Sequence, residues 1–128
     1  MNERGDASSL AIWFADDDRR VQLRELAVAL RGLIAEMDRS AELAARRGPY
    51  AVALAEAERL QAEGFSPAEI AALGRAVPDL FYRFKEWEPP GERGPDGRWH
   101  EAEWFRAVEA KLAPALDAAA MLVQLGRY

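Results

Sequence analysis

Leu23, Leu26, Leu30, Leu33 and Met37 recur at alternating spacings of three and four, with Ile34 widening the stripe and charged residues filling the intervening positions. That period belongs to one face of an α-helix and predicts a long amphipathic helix over residues 17–46. The acidic run Asp16, Asp17, Asp18 suits its start, where carboxylates complement the helix dipole, and Gly48-Pro49 suits its end. Thirty residues at 1.5 Å each make a rod of about 45 Å. A domain of this size has a radius of gyration near 14 Å, so the rod either bends or lends its seam to a second copy of the chain. A homodimer through residues 23–37 is the simpler expectation. Ahead of the rod, Ser8 and Ser9 can cap a short apolar segment, Leu10 to Phe14.

Downstream, Pro49 stands where a first helical turn tolerates proline, and Leu54, Ala57 and Leu60 mark a second helix that stops at Gly64. Ser66-Pro67-Ala68-Glu69 reads as a capping box with proline in the first turn, opening a short third helix. Pro78-Asp79 interrupts and restarts the chain, giving a fourth helix whose Leu80, Phe81, Phe84 and Trp87 share a face. Pro89, Pro90, Gly91, Gly94, Pro95 and Gly97 then form a loop, in which Pro95-Asp96-Gly97 has the chemistry to close a small hairpin. From about Glu101 a last helix carries Trp104, Val108, Leu112, Ala115, Ala119 and Leu122 on one face, with Phe105, Leu116 and Val123 beside them. Pro114 is expected to kink it and Gly126 to stop it. The expected architecture is all-α. It is a four- to five-helix bundle forming a single domain over residues 1–128, with one long N-terminal helix and a Pro/Gly-rich loop before a kinked C-terminal helix.

Composition points the same way. Threonine is absent and Val and Ile together total nine, while Leu and Ala dominate, a balance that favours helices over sheets. At 128 residues, half of them apolar and 30% charged, the chain is about one domain long and can bury an ordinary core without staples. The absence of cysteine removes disulfides, thiolate nucleophiles and zinc sites built on sulfur. The longest apolar run, Leu10 to Ala15, is far below the roughly 20 residues of a membrane helix. It follows Glu3 and Asp6, where a secretory leader has a basic start, so a cytoplasmic protein without a membrane segment is expected. The formal net charge of −5 opposes non-specific contact with nucleic acid or anionic lipid.

Chemistry-bearing patterns are sparse. Of four serines none lies in a Gly-x-Ser-x-Gly elbow, and the glycines at 91–97 lack the Lys-Ser/Thr ending of a phosphate loop. His100 is the single histidine, and with Glu101 and Glu103 it matches neither the Glu-x-x-His pairs of carboxylate metal bundles nor a His-x-x-x-His site. Capping or hydrogen bonding at the start of the last helix is its expected role. The three consecutive aspartates point in different directions on a helix and do not converge on a metal. No catalytic, cofactor or metal site is predicted, and the chain reads as non-enzymatic.

What remains is a surface. Seven of the twelve aromatic residues and three of the four tryptophans lie between Pro78 and Phe105, around the Pro/Gly-rich loop. Trp and Arg dominate binding energy at protein interfaces. Arg98, Trp99 and His100, with Arg93 and Trp87 nearby, are therefore the expected contacts to a protein partner, with Trp87 and Trp104 inside and Trp99 outside. On this reading the protein is a small adaptor, inhibitor or assembly factor.

The alternative is DNA binding through residues 66–87, whose capped helix, break near 75–78 and second helix have the length of a helix-turn-helix. Followed by Tyr82-Arg83 and a Gly-rich turn ending in Arg98-Trp99, this order is similar to the helix-turn-helix plus wing of MerR-type regulators, and residues 59–84 resemble TetR-type DNA-binding heads. The resemblance covers about a third of the chain and implies a transcriptional regulator with Arg75, Tyr82, Arg83 and Lys85 facing DNA and Arg93 and Arg98 on the wing. The chain departs from both patterns. The turn glycine arrives one residue early at Gly74, and residues 66–111 hold seven bases against nine acids, which disfavours a phosphate-gripping face.

Overall fold

The computed structural model describes the backbone of residues 3–81 and 88–127 and the side chains of residues 16–81 and 88–127. Helix α1 spans Glu3–Met37, α2 Ala41–Ala44, α3 Gly48–Glu63, α4 Pro67–Ala76 and α5 Glu103–Leu125, and a two-stranded antiparallel hairpin, β1 Gly91–Arg93 and β2 Trp99–Glu101, precedes α5. The fold is all-α, as its residue balance demands.

The leucine stripe of α1 does form one face of a helix, and the chain's own helices cover it. Leu23, Leu26, Leu30, Leu33 and Met37 each have no exposed surface. The same cluster takes in Ala57 and Leu60 of α3, Ile70 and Leu73 of α4, and Val108, Leu112, Ala119 and Leu122 of α5. Each large aliphatic side chain so buried stabilises the fold by about 1.5–3 kcal/mol. The seam expected to join two copies is consumed inside one chain.

The ends of α1 also differ from expectation. The helix is already formed at Glu3 and runs through the aspartates, because no glycine or proline between Asp6 and Gly32 interrupts it. Asp16 serves instead as partner to Arg19, whose Nη1 donates to its Oδ1 at 2.7 Å. Arg19 is only 2% exposed, and its Nε donates to the Leu125 carbonyl at 2.9 Å, satisfying one of the unpaired carbonyls at the end of α5. At the other end α1 stops at Met37, short of residue 46. Ser40, in extended conformation, accepts from the Leu43 N–H at 3.5 Å and caps the single turn of α2, which drives Leu43 into the core.

Gly48-Pro49 opens α3 rather than closing its predecessor, and Gly64, at φ 94°, stops it. The capping box is complete: the Glu69 N–H donates to Ser66 Oγ at 3.2 Å, and the Ser66 N–H donates to Glu69 Oε1 at 3.0 Å. The Ser66 N–H and then Arg59 hold the Glu69 carboxyl below the usual carboxylate range, and Arg59 does the same to Glu56. Arg59 thereby ties α3 to the start of α4. Tyr50, buried in α3, donates its hydroxyl proton to the Pro78 carbonyl at 2.8 Å and anchors the segment after α4.

Helices α4 and α5 cross closely because two glycines permit it. A Cβ at Gly74 would collide with the carbonyl oxygen of Ala119, and one at Gly126 would lie 2.5 Å from the Ala71 Cβ. Gly74 is thus a buried residue inside α4, not the glycine of an inter-helix turn, and Gly126 ends α5 in a right-handed conformation, its small size rather than its φ being what the site needs. Helix α5 continues unbroken through Pro114, which stands on the exposed side, where a carbonyl left unpaired can be hydrated. Among the described residues no helix is long and apolar enough to cross a membrane.

Candidate functional site: an exposed hairpin and the start of the last helix

After α4, residues 77–79 are irregular and a turn follows at Leu80 and Phe81, with Asp79 Oδ1 accepting from the Phe81 N–H at 3.1 Å. Leu80 is buried and Phe81 half-buried against the core, as their apolar positions require. The remainder of the expected fourth helix, with Tyr82, Arg83, Phe84, Lys85 and Trp87, lies outside the described residues. The second helix of the helix-turn-helix reading falls there too, whereas Arg75 is exposed near the end of α4.

The loop with tight-turn chemistry does close a hairpin. Gly91 pairs with Glu101, Glu92 with His100 and Arg93 with Trp99. Directly paired residues share a face of an antiparallel ladder, so Arg93 and Trp99 stand together on one side and Glu92 and His100 on the other. All six strand residues are exposed, and Trp99 keeps 47% of its surface in solvent.

A hairpin without a packed face is marginal by itself, and this one is held by its own polar contacts. The Gly94 N–H donates to the Arg98 carbonyl at 2.8 Å, and the Gly97 N–H donates to the Gly94 carbonyl at 3.0 Å. Gly97 adopts φ 76°, a conformation that side chains other than glycine's resist. Arg93 Nη1 donates to the Gly97 carbonyl at 2.7 Å. Asp96 Oδ1 accepts from the Arg98 N–H at 3.0 Å and lies 2.9 Å from His100 Nε2. The His100 contact first, and the Arg98 N–H second, hold the Asp96 carboxyl below its ordinary range. His100 therefore braces the turn instead of capping α5. A Cβ at Gly94 would fall 2.6 Å from the His100 ring, which is why that position is glycine.

The hairpin joins α5 through the Ala102 N–H, which donates to the Pro90 carbonyl at 2.7 Å. Trp104, expected inside, is 48% exposed, and Phe105 takes the buried place at 4%. Phase around the helix does not set Trp104 apart, since residue 104 stands about five turns before the fully buried Leu122 on the same line of the helix. It lies instead in the first turn of α5, where the buried positions 105, 108, 112, 115, 118, 119 and 122 have only begun. Trp104 packs edge-on to Phe105 with ring centroids 6.3 Å apart and tilts toward Phe81 at 6.4 Å, so an aromatic cluster fixes its orientation. It forms a ridge between two open grooves. One, of about 360 Å³, is lined by Ser40, Leu43, Arg46, Phe81 and Pro90. The other, of about 340 Å³, is lined by Glu36, Arg39, Leu43, Glu103 and Ala107.

The structure thus unites Arg93, Arg98, Trp99 and His100 in one hairpin, leaves Trp87 outside the described residues, and adds Trp104 and the α2 corner. Phase around α5 puts Trp104 on the apolar face, in line with Leu122, so its exposure carries no signal in the sequence. The α2 corner has a faint signature, a Ser40 cap followed by Glu42. Among the described residues no group of three or more His, Asp or Glu is placed to hold a metal ion. No protein-family model, curated protein or solved structure matches the chain. The class that fold and surface define is a small helical bundle bearing an exposed aromatic hairpin.

Proposed function

We propose that this protein is a non-enzymatic binding module that contacts a protein partner through the β1–β2 hairpin and the start of α5. The observation that carries the reading is the pair Trp99 and Trp104, each about half exposed and each mounted on a braced element. Exposed tryptophans on preorganised backbone lose little conformational freedom on binding, which is why such residues anchor interfaces. Arg93 and Arg98 supply charge-assisted donors beside Trp99, and the grooves flanking Trp104 can receive apolar side chains of the partner.

The test is recovery of partners from native lysate with tagged protein, with and without nuclease, followed by affinity measurement with the purified partner. Trp99→Ala is expected to weaken binding at least about tenfold while leaving the circular dichroism and melting temperature unchanged. Unchanged affinity in both Trp99→Ala and Trp104→Ala would place the contact elsewhere. Co-purification of nucleic acid that washes off with moderate salt would instead favour the regulator reading.

A further inference from the structure

A second surface, sharing no lining residue with the hairpin, lies where α1 passes the junction of α3 and α4. It is a cleft of about 340 Å³ lined by Arg20 and Arg24 on one wall, Gln61 and Phe65 on the other, and Leu23 and Leu60 at its floor. Arg20 and Arg24 are one helical turn apart, so both guanidinium groups reach the same space. Neither has a carboxylate within ion-pair distance among the described residues, although most other arginines with described side chains on α1–α3 are paired. The Arg20 guanidinium lies 5.9 Å from the centre of the Phe65 ring, which holds it in place without neutralising it. Asp16 stands at the rim, but Arg19 pairs with it at 2.7 Å and cancels its charge. The rim is kept open by Gly64, whose φ of 94° resists any side chain.

We infer that this cleft binds a small phosphate monoester, its dianion bridging Arg20 and Arg24 and its ester substituent lying against Phe65 over Leu23 and Leu60. Two guanidinium forks offer more donors than one carboxylate can accept, and a tetrahedral dianion has oxygens for both. The volume is at the small end of ligand sites and suits one compact molecule. A polyanion is disfavoured, because two arginines on a chain of net charge −5 cannot hold a phosphate backbone.

The experiment is a backbone and side-chain amide NMR titration of the full chain with phenyl phosphate, inorganic phosphate and benzoate at constant ionic strength. Saturable shifts with phenyl phosphate are expected at Gln61, Gly64 and Phe65, with weaker binding of inorganic phosphate and of benzoate. Arg20→Gln with Arg24→Gln is expected to lower the phenyl phosphate affinity at least about tenfold. Both arginines are exposed and outside the core, so circular dichroism of the double variant should match wild type. Shifts that fail to saturate, binding that survives the double substitution, or benzoate binding as tightly as phenyl phosphate would each overturn the assignment.

Discussion

At Gly74 one added methyl group would meet the Ala119 backbone, and backbone has no side-chain rotamer with which to yield. Alanine gains up to about 1 kcal/mol in helix propensity over glycine. Overpacking costs typically about 1–3 kcal/mol, so the clash wins and Gly74→Ala is expected to lower the unfolding free energy measured in urea by about 1–2 kcal/mol. Sequence alone suggests a turn there, because a glycine between two helical stretches carries no mark that distinguishes punctuation from close packing. Asp96 carries a pH dependence with a definite sign. Its carboxyl is held below the ordinary range in the folded hairpin. Its contribution is therefore complete above the unfolded carboxylate pKa and is lost as pH falls through the lower folded value. The step in the Trp99 indole resonance that reports Asp96 should accordingly fall below the ordinary carboxylate range, and Asp96→Asn should abolish that step.

Among the elements, boundaries written in local chemistry were legible and those that depend on tertiary context were not. The Ser66 to Glu69 capping box and the Gly64 stop are satisfied by residues within four positions, so the chain declares them. Ser66→Ala should cost about 1 kcal/mol and fray α4, detectable as faster amide exchange at Glu69. The N-terminal extension of α1 through Asp16–Asp18 had no such mark, since a run of acids suits a helix start and an exposed helix interior equally. The hairpin was legible through Pro95-Asp96-Gly97, yet the bracing of its turn by His100 was not, because that contact exists only after Glu92 and His100 are brought into register. Trp104 shows a related gap. Its spacing of four from Val108 makes it part of an apolar face, and only the depth of Phe105 shows that the face ends one residue later.

For the molecule as a whole, the leucine stripe was correctly identified as a buried seam and wrongly paired with a second copy, because periodicity reports that a face is covered and not what covers it. Leu30, with no exposed surface, separates the two cases. Leu30→Ala should lower stability by about 2–5 kcal/mol, with a denaturation midpoint that does not move with protein concentration. A midpoint rising with concentration would show that dimerisation contributes to stability. The principal partner of α1 is α5, the last helix of the chain, and Arg19 is tied to Leu125, 106 positions away. During synthesis the stripe at residues 23–37 leaves the ribosome long before residues 103–125 exist to cover it. At about 5–20 residues per second that interval is on the order of 10 s. For those seconds the nascent chain presents an amphipathic helix with an open leucine face, which makes it a natural client for a ribosome-associated chaperone.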